Sequence, residues 1–435
     1  MGSYENDHVL AMPMTDKDSV DRSPITLVHV TTVPSTVLAF LHGQIEFMQS
    51  RSFDVTVVSS PGPELDEVAK RFNVPVHGVP MARRPSPLRD FTALIRLSRL
   101  FLRIRPDIVH ASTPKAGALG MAAAGLAGVP VRIYTVRGLM HEIGSGPLKY
   151  VLRALERLTC RLADRVVVVS RSAAELLRKE GLCPDPKITV IGHGSSNGVD
   201  ARDRFNPALT ERDAVVRIRR DLGIPDDVLV LGFVGRLVRA KGICELLQAW
   251  QLLREHRPEA RLVIIGPSEH ADGMPPELRE DLESDPGVYL VGEVPNDRMP
   301  YYYANMDVVV LPSHREGLPN VPLEAAAMGV PVVTTNVTGC TDAVEDGVTG
   351  SIVPLGDVHA LAEAILRYLN DSELRRQHGA AARERVSLHF RPETIWQGLY
   401  EEYERLLEQK AIFRLNSCTH ETHLYRRSKS EKMVS

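Results

Sequence analysis

The chain has 435 residues, a length that suggests about three domains or two large ones. Apolar residues make up 43% and charged residues 25%, ordinary globular usage that excludes a disordered, collagen-like or coiled-coil chain as a whole. With 52 Lys and Arg against 55 Asp and Glu the formal net charge is −3, a balance that argues against a dedicated nucleic-acid binder.

In chain order, Met1–Asp21 lacks the basic-then-apolar order of a signal peptide and reads as a disordered extension. From Ile25 short apolar runs alternate with helical stretches. ITLVHV, DVTVVSS, DIVHAS, VRIYTV, RVVVVS and KITVIG predict strands, while Val37–Gln49 and Leu88–Leu102 have the apolar spacing of helices. The uncharged stretch Ala116–Val131 is too short for a bilayer core of ~30 Å and contains Pro130, so it predicts a buried helix and the start of a strand. An irregular stretch from Gly192 to Pro207 predicts a hinge. Its Gly192-x-Gly194 pair leads into no helix and does not suit a dinucleotide loop. A second series follows: VLVLGFVG, RLVIIG, VYLVG, DVVVLPS, VPVVTT and TGSIVP, again alternating with helices.

Strands apolar on both faces and separated by helices imply α/β domains with parallel sheets covered on both sides. The expected organisation is an extension over 1–24, a first Rossmann-like domain over 25–204 and a second over 205–391. A helix over 392–410 and a disordered basic tail over 411–435 complete it. The five cysteines (Cys160, Cys183, Cys244, Cys340, Cys418) form no C-x-x-C pair. Neither a disulfide framework nor a zinc cluster is expected, and a reducing, cytoplasmic setting fits, at most peripheral to a membrane. His420 and His423 in the tail lack metalloprotease spacing, and no metal site is expected.

Chemistry concentrates in DVVVLPSHREGLPNVPLEAAAMGVP, Asp307–Pro331. The strand ends at Leu311, the loop carries Glu316, Pro322 opens a short helix and Glu324 projects from its first turn. Two carboxylates thus face the crevice at the carboxyl end of a parallel strand, where such sheets bind ligands. Between them the backbone N–H groups near Asn320 and Val321 suit a phosphate. Taken singly, Glu324 could merely offset the helix dipole and Glu316 could be a solvated loop charge; the E-x7-E pairing is more specific. Upstream, strand VLVLGFV leads to Gly235-Arg236 and then Lys241-Gly242, two cations placed to clamp a diphosphate.

FVGRLVRAKG, REGLPNVPLEAAAMGVPVV and DGVTGSIVP resemble the retaining GT-B glycosyltransferases of family 4, and most of all the bacterial transferases of capsule, exopolysaccharide and lipid-linked oligosaccharide assembly. HVTTVPSTVLAFLHGQIEFM, VHASTPKAG and VIGHGSSNGVDARDRF extend the resemblance from Ile25 to about Leu407. It implies two Rossmann-like domains facing each other across a cleft, with the long terminal helix returning to the first. It implies a nucleotide-sugar donor, usually uridine diphosphate linked, in the second domain. Gly235, Arg236 and Lys241 would lie at the diphosphate, Glu324 at the ribose, Glu316 at the transferred hexose or N-acetylhexosamine, and Leu318, Asn320 and Val321 along the donor loop. Base recognition would be by backbone around Gly292–Val294. Retention at the anomeric carbon is implied as well. No D-x-D occurs in either Rossmann-like domain, so protein cations are expected to serve in place of a metal, and no cofactor is expected. A sugar-nucleotide epimerase or phosphorylase on the same fold, or a non-catalytic nucleotide-sugar-binding partner, stays open at this point.

On the acceptor side the relatives usually carry a His after strand VRIYTV, where this chain has Arg137. In VHASTPKAG His110 is kept, while Ser112 replaces a frequent second His. An Arg stays protonated and cannot act as a base, but it can hold a phosphate. His110 or His141, or the leaving phosphate itself, would then take the acceptor proton. Between Met81 and Arg165 fifteen Lys and Arg stand against five acids, a local +10 that leaves −13 elsewhere. Lys149, Arg153, Arg157, Arg161 and Arg165 recur every four residues, and Arg96, Arg99 and Arg103 share a helix face. Such basic amphipathic helices are either solvated faces or membrane-surface elements; two in one acceptor domain favour anionic lipid or a lipid diphosphate at the inner membrane face.

Overall fold

Runs of Val, Ile and Leu, apolar on both faces, assemble into two parallel sheets in the computed structural model, which describes residues 24–82, 86–139, 146–267 and 276–410. The expectations for the extension, for His141 and for the tail with Cys418, His420 and His423 lie outside the described residues. The first sheet comprises β1 (Ile25–Val30), β2 (Phe53–Ser59), β3 (Val76–Gly78), β4 (Ile108–Ser112), β5 (Val131–Val136), β6 (Arg165–Val168) and β7 (Ile188–Thr189), in the order β3-β2-β1-β4-β5-β6-β7. The second comprises β8 (Val230–Val234), β9 (Arg261–Ile265), β10 (Val288–Gly292), β11 (Val308–Leu311), β12 (Val332–Thr335) and β13 (Gly350–Val353), in the order β10-β9-β8-β11-β12-β13.

In each sheet the winding reverses once, between β1 and β4 in the first and between β8 and β11 in the second. The crevice outside the carboxyl ends of those strand pairs is where such sheets bind ligands. The motif residues sit there: Arg236 after β8, Glu316 after β11, and Arg137 after β5, next to β4.

Two expectations about the first domain change. The helix expected over Val37–Gln49 is two helices, Ser35–Phe40 and Gln44–Ser50. The break is at Gly43, whose φ is +72° and where a Cβ would stand 2.3 Å from the Trp396 indole; only glycine fits that turn and that approach. The basic stripe ends early as well. Its helix is Pro147–Leu162, whereas Arg165 starts β6 and pairs with Glu402 at 2.5 Å.

The last helix, 392–410, returns to the first domain. Ile395, Leu399, Tyr403 and Leu406 are buried with Leu27, Val37, Val55, Val57 and Ile133, an i, i+4, i+8, i+11 stripe of a core-facing helix. Trp396 donates from Nε1 to Asn197 Oδ1 at 2.8 Å, and the Tyr403 hydroxyl meets His110 Nδ1 at 2.6 Å. The helix is thereby fixed both to the irregular connection and to the crevice floor.

On the opposite face of the sheet, Pro87–Ile104, Pro114–Leu126 and Pro147–Leu162 lie side by side. The first buries Ala93, Leu97 and Phe101 yet leaves Leu88, Phe91 and Leu102 exposed; the third exposes Tyr150, Val151 and Leu158. On the inner face of the third helix Glu156 is buried, its Oε1 accepting from the Tyr134 hydroxyl at 3.1 Å. Burial pushes its carboxyl pKa up to about 7. Because this folded-state value lies above the unfolded one, the native chain holds the extra proton between about pH 4.5 and 7, and stability falls as pH rises through that window. Glu156→Gln should be near neutral at pH 4.5 and stabilise by roughly 3 kcal/mol at pH 8, measured as the pH dependence of the urea-unfolding transition of the first domain. A pH-independent difference would contradict the ionisation of Glu156.

Candidate active site

The second domain builds its half from two strand exits. After β8, Gly235 donates its N–H to Ile265 O at 2.8 Å, and the chain passes through a short 3-10 turn, Arg239–Lys241, into the helix Ile243–His256. The turn is tied to the neighbouring exit by His314 N–H donating to Ala240 O at 2.9 Å. That neighbour is the loop after β11, where Ser313 Oγ donates to Glu316 Oε1 at 2.7 Å and Lys241 Nζ ion-pairs with the same oxygen. The two motif residues identified separately in the sequence are thus in direct contact, both largely buried, with side chains 22% and 12% exposed. Together with Arg236, Arg315 and Gly317 they line a cavity of about 300 Å³, whose other wall is Thr113, Arg137 and Leu139 of the first domain.

The helix expected to open at Pro322 begins two residues earlier, as Asn320–Ala327 with Pro319 at its cap and no capping side chain. Its first N–H groups are therefore the free positive end of a helix dipole. Asn320 Oδ1 is buried without a hydrogen-bond partner among the described residues. Glu324 Oε2 accepts from the Tyr303 hydroxyl at 2.8 Å, and burial raises its pKa against that bond. Glu324 and Asn320 line a second cavity, of about 340 Å³, with Phe40, Asn296, Arg204 and Trp396. The two carboxylates therefore serve adjoining cavities rather than one. Leu318 is buried in the domain core, with Val294 and Val321 packed against the same cluster; these three can offer a ligand mainly backbone.

The first domain contributes differently from expectation. His110 has both ring nitrogens engaged, Nδ1 with the Tyr403 hydroxyl and Nε2 with Thr135 Oγ1, each at 2.6 Å. Burial holds its pKa well below that of a free imidazole. It has no free nitrogen for an acceptor proton, and its place is that of a buried anchor for the helix 392–410. His29, its ring tilted against that of His110 with centroids 5.3 Å apart, has its pKa driven down to about 4 by burial and by the charge of Arg137. Arg137 rests on the Phe40 ring at 4.8 Å, and its Nε and Nη1 are buried without a hydrogen-bond partner among the described residues. Among the described residues no group of three His, Cys, Asp or Glu is placed to hold a metal.

The domains meet on the loop that carries Glu316. Ser170, the cap of the helix Arg171–Lys179, donates from Oγ to Gly317 O at 2.6 Å. A Cβ at Gly317 would stand 2.0 Å from Arg137 O, so only glycine permits this approach. One turn away, Asp342 of the second domain accepts at Oδ1 from Arg171 N–H at 2.8 Å and at Oδ2 from the Ser172 hydroxyl, while Gly339 N–H donates to Ser172 Oγ at 2.8 Å. A carboxylate from one domain thus sits on a helix N-terminus of the other, where it is electrostatically favoured. Sequence reasoning missed Ser170, Ser172 and Asp342. The S-R-S-A-A-E run after β6 does carry a capping signal, but nothing in it says that the cap is shared with a distant segment.

A family model described as glycosyl transferases group 1 matches residues 216–385, and one described as glycosyl transferase 4-like domain matches residues 35–194. The chain is 37% identical over 383 residues to the capsular polysaccharide biosynthesis glycosyltransferase CapM of Staphylococcus aureus, covering 88% of this chain and 98% of that protein. It is 30% identical over 361 residues to an Escherichia coli UDP-Gal:α-D-GlcNAc-diphosphoundecaprenol α-1,3-galactosyltransferase, covering 81% of this chain and 90% of that one. Among solved structures, HepE of Anabaena in complex with UDP and glucose superposes with a TM-score of 0.72 at 21% identity, covering 88% of this chain and all of that one.

Proposed function

The chain belongs to the group 1 glycosyltransferases, with a glycosyl transferase 4-like first domain and the GT-B fold, and we propose that it transfers a sugar from a UDP-sugar to a lipid-linked saccharide or growing polysaccharide, with retention at the anomeric carbon. The observation that carries this reading is the 300 Å³ cavity in which Lys241, Arg236 and Glu316 converge beside an uncapped helix N-terminus at Asn320. In this reading Arg236, Lys241 and the helix N–H groups meet the diphosphate. Glu316 holds hydroxyls of the transferred sugar, Glu324 the ribose, and backbone near Val294 the base. The names of the CapM and galactosyltransferase relatives favour a capsule-type or diphosphoundecaprenol-type acceptor.

The step balances without a protein nucleophile. The bond between the anomeric carbon and the β-phosphate oxygen breaks, and its electron pair stays on that oxygen. The acceptor hydroxyl attacks on the face being vacated, and its proton passes to the departing phosphate. The occupied nitrogens of His110 support the last assignment, while His141, the other candidate, lies outside the described residues. Cations already in place stabilise the growing negative charge without reorganising, which is why no metal is required in this account, and a carboxylate on the sugar hydroxyls supplies orientation.

The same reading places the protein on the inner face of a membrane. No helix among the described residues is long and apolar enough to cross one. Yet Leu88, Phe91 and Leu102 on one helix and Tyr150, Val151 and Leu158 on another are exposed in the segment that carries the +10 charge excess. Exposed aliphatic and aromatic residues among Lys and Arg suit the headgroup boundary of an anionic bilayer.

With a UDP-sugar that stabilises the protein in a thermal-shift screen against GDP- and ADP-sugars, and a polyprenyl-diphosphate saccharide as acceptor, Glu316→Gln and Lys241→Ala should each lower kcat by roughly 10²–10³. Turnover should survive a chelator, and the product should keep the donor's anomeric configuration by NMR. Near-normal transfer by either variant would refute the site. In flotation with phosphatidylglycerol vesicles at low salt, wild type should rise with the lipid and Phe91→Glu/Val151→Glu should stay down. No flotation of wild type would remove the membrane from the account.

A further inference from the structure

Arg137 is a half-buried cation without a counter-charge among the described residues. Its Nε and Nη1 are shut off from water and bonded to nothing among the described residues. Burial lowers its pKa only to about 10, so it is charged at neutral pH. On its inner side a small cavity is lined by His29, Gln44, His110, Ser112 and Thr135, with no carboxylate in its wall, and the two histidines are neutral. Outward it shares the 300 Å³ cavity, where the one carboxylate among the described lining residues, Glu316, is already paired with Lys241. A guanidinium with buried nitrogens and no ion partner is destabilising, an effect that an anion in the shared cavity would offset.

Resting on the transfer reading above, we propose that Arg137 is that anion's ligand: from the first domain it binds the departing diphosphate of the sugar nucleotide, opposite Arg236 and Lys241. The residue moves from the acceptor side, where the sequence put it, to the donor. Leaving-group charge is then met from both domains, and the full set of cations exists only while Arg137 and Gly138 lie against Gly317, as they do here. Arginine suits the task because it cannot lose its proton and presents several donors to phosphate oxygens. As the anomeric bond lengthens, the oxygen that keeps the electron pair becomes more negative, so Arg137 contributes more to the transition state than to the bound donor.

The test uses full-length wild type, Arg137→Gln and Arg137→Lys, titrated calorimetrically with UDP and with UMP in the absence of acceptor. Arg137→Gln should weaken UDP about tenfold or more while changing UMP less than threefold, as loss of one charge-assisted phosphate contact requires. Arg137→Lys should recover part of that loss. The ligand-free melting temperature of Arg137→Gln should hold or rise, because an unpaired buried charge is gone. UDP affinity within twofold of wild type, or an equal loss for UDP and UMP, would overturn the proposal. So would a marked fall in ligand-free stability with unchanged UDP binding. Failure of the wild-type chain to bind UDP at all would instead overturn the transfer reading on which the proposal rests.

Discussion

The carbonyl of Gly317 is the point on which the two domains are registered. It receives the Ser170 hydroxyl at 2.6 Å from the first domain, and the residue before it, Glu316, is the carboxylate that Lys241 holds. The loop is therefore shaped by its own domain at Glu316 and by the other at Gly317. The absence of a side chain at 317 lets the Arg137 backbone come close enough to put its guanidinium on the same cavity. Asp342 on the N-terminus of Arg171–Lys179 backs this contact with a charge–dipole interaction. In the proposed site, separating the domains would remove Arg137 and the Ser170 bond together.

Electrostatics divides labour along the chain. The net charge of −3 hides a +10 segment in the first domain. Part of it is consumed internally: Arg165 pairs with Glu402, Arg153 with Glu180 at 3.3 Å, and Lys115 with Asp90 at 2.8 Å. Of the helix stripe, Lys149 and Arg161 remain at the surface, beside exposed Tyr150, Val151 and Leu158. Under the proposed function, one face of the first domain would meet anionic lipid while its carboxyl-end crevice would carry a separate cation toward the donor, so that a membrane-held acceptor and a soluble donor would reach the cleft from different sides.

Strands were legible where β-branched runs are buried on both faces, because the pattern is then nearly independent of context. Both series and their parallel sense follow from it, whereas β3 escaped: it has three residues, follows Pro75 and is only partly buried. Lys241, Glu316 and Glu324 were legible because each sits a fixed distance from a strand exit. What the sequence could not reveal was contact between distant segments. The Gly43 break depends on Trp396, and the engagement of His110 depends on Tyr403. The role of Ser170 depends on Gly317, and the core position of Leu318 depends on the packing of its whole domain. In each case the partner that gives the local signal its meaning lies more than a hundred residues away or in the fold as a whole.

The registration of the domains on Gly317 is tested most directly by the turnover of Ser170→Ala, with donor affinity measured beside it. If that hydrogen bond holds the Glu316 loop for catalysis, kcat should fall about tenfold or more while UDP affinity stays within about threefold, and Ser170→Thr, which keeps both cap and donor, should recover most of the rate. Loss of the helix cap alone would cost ~1 kcal/mol of stability and leave kcat intact. A wild-type kcat in a folded Ser170→Ala protein would contradict the account.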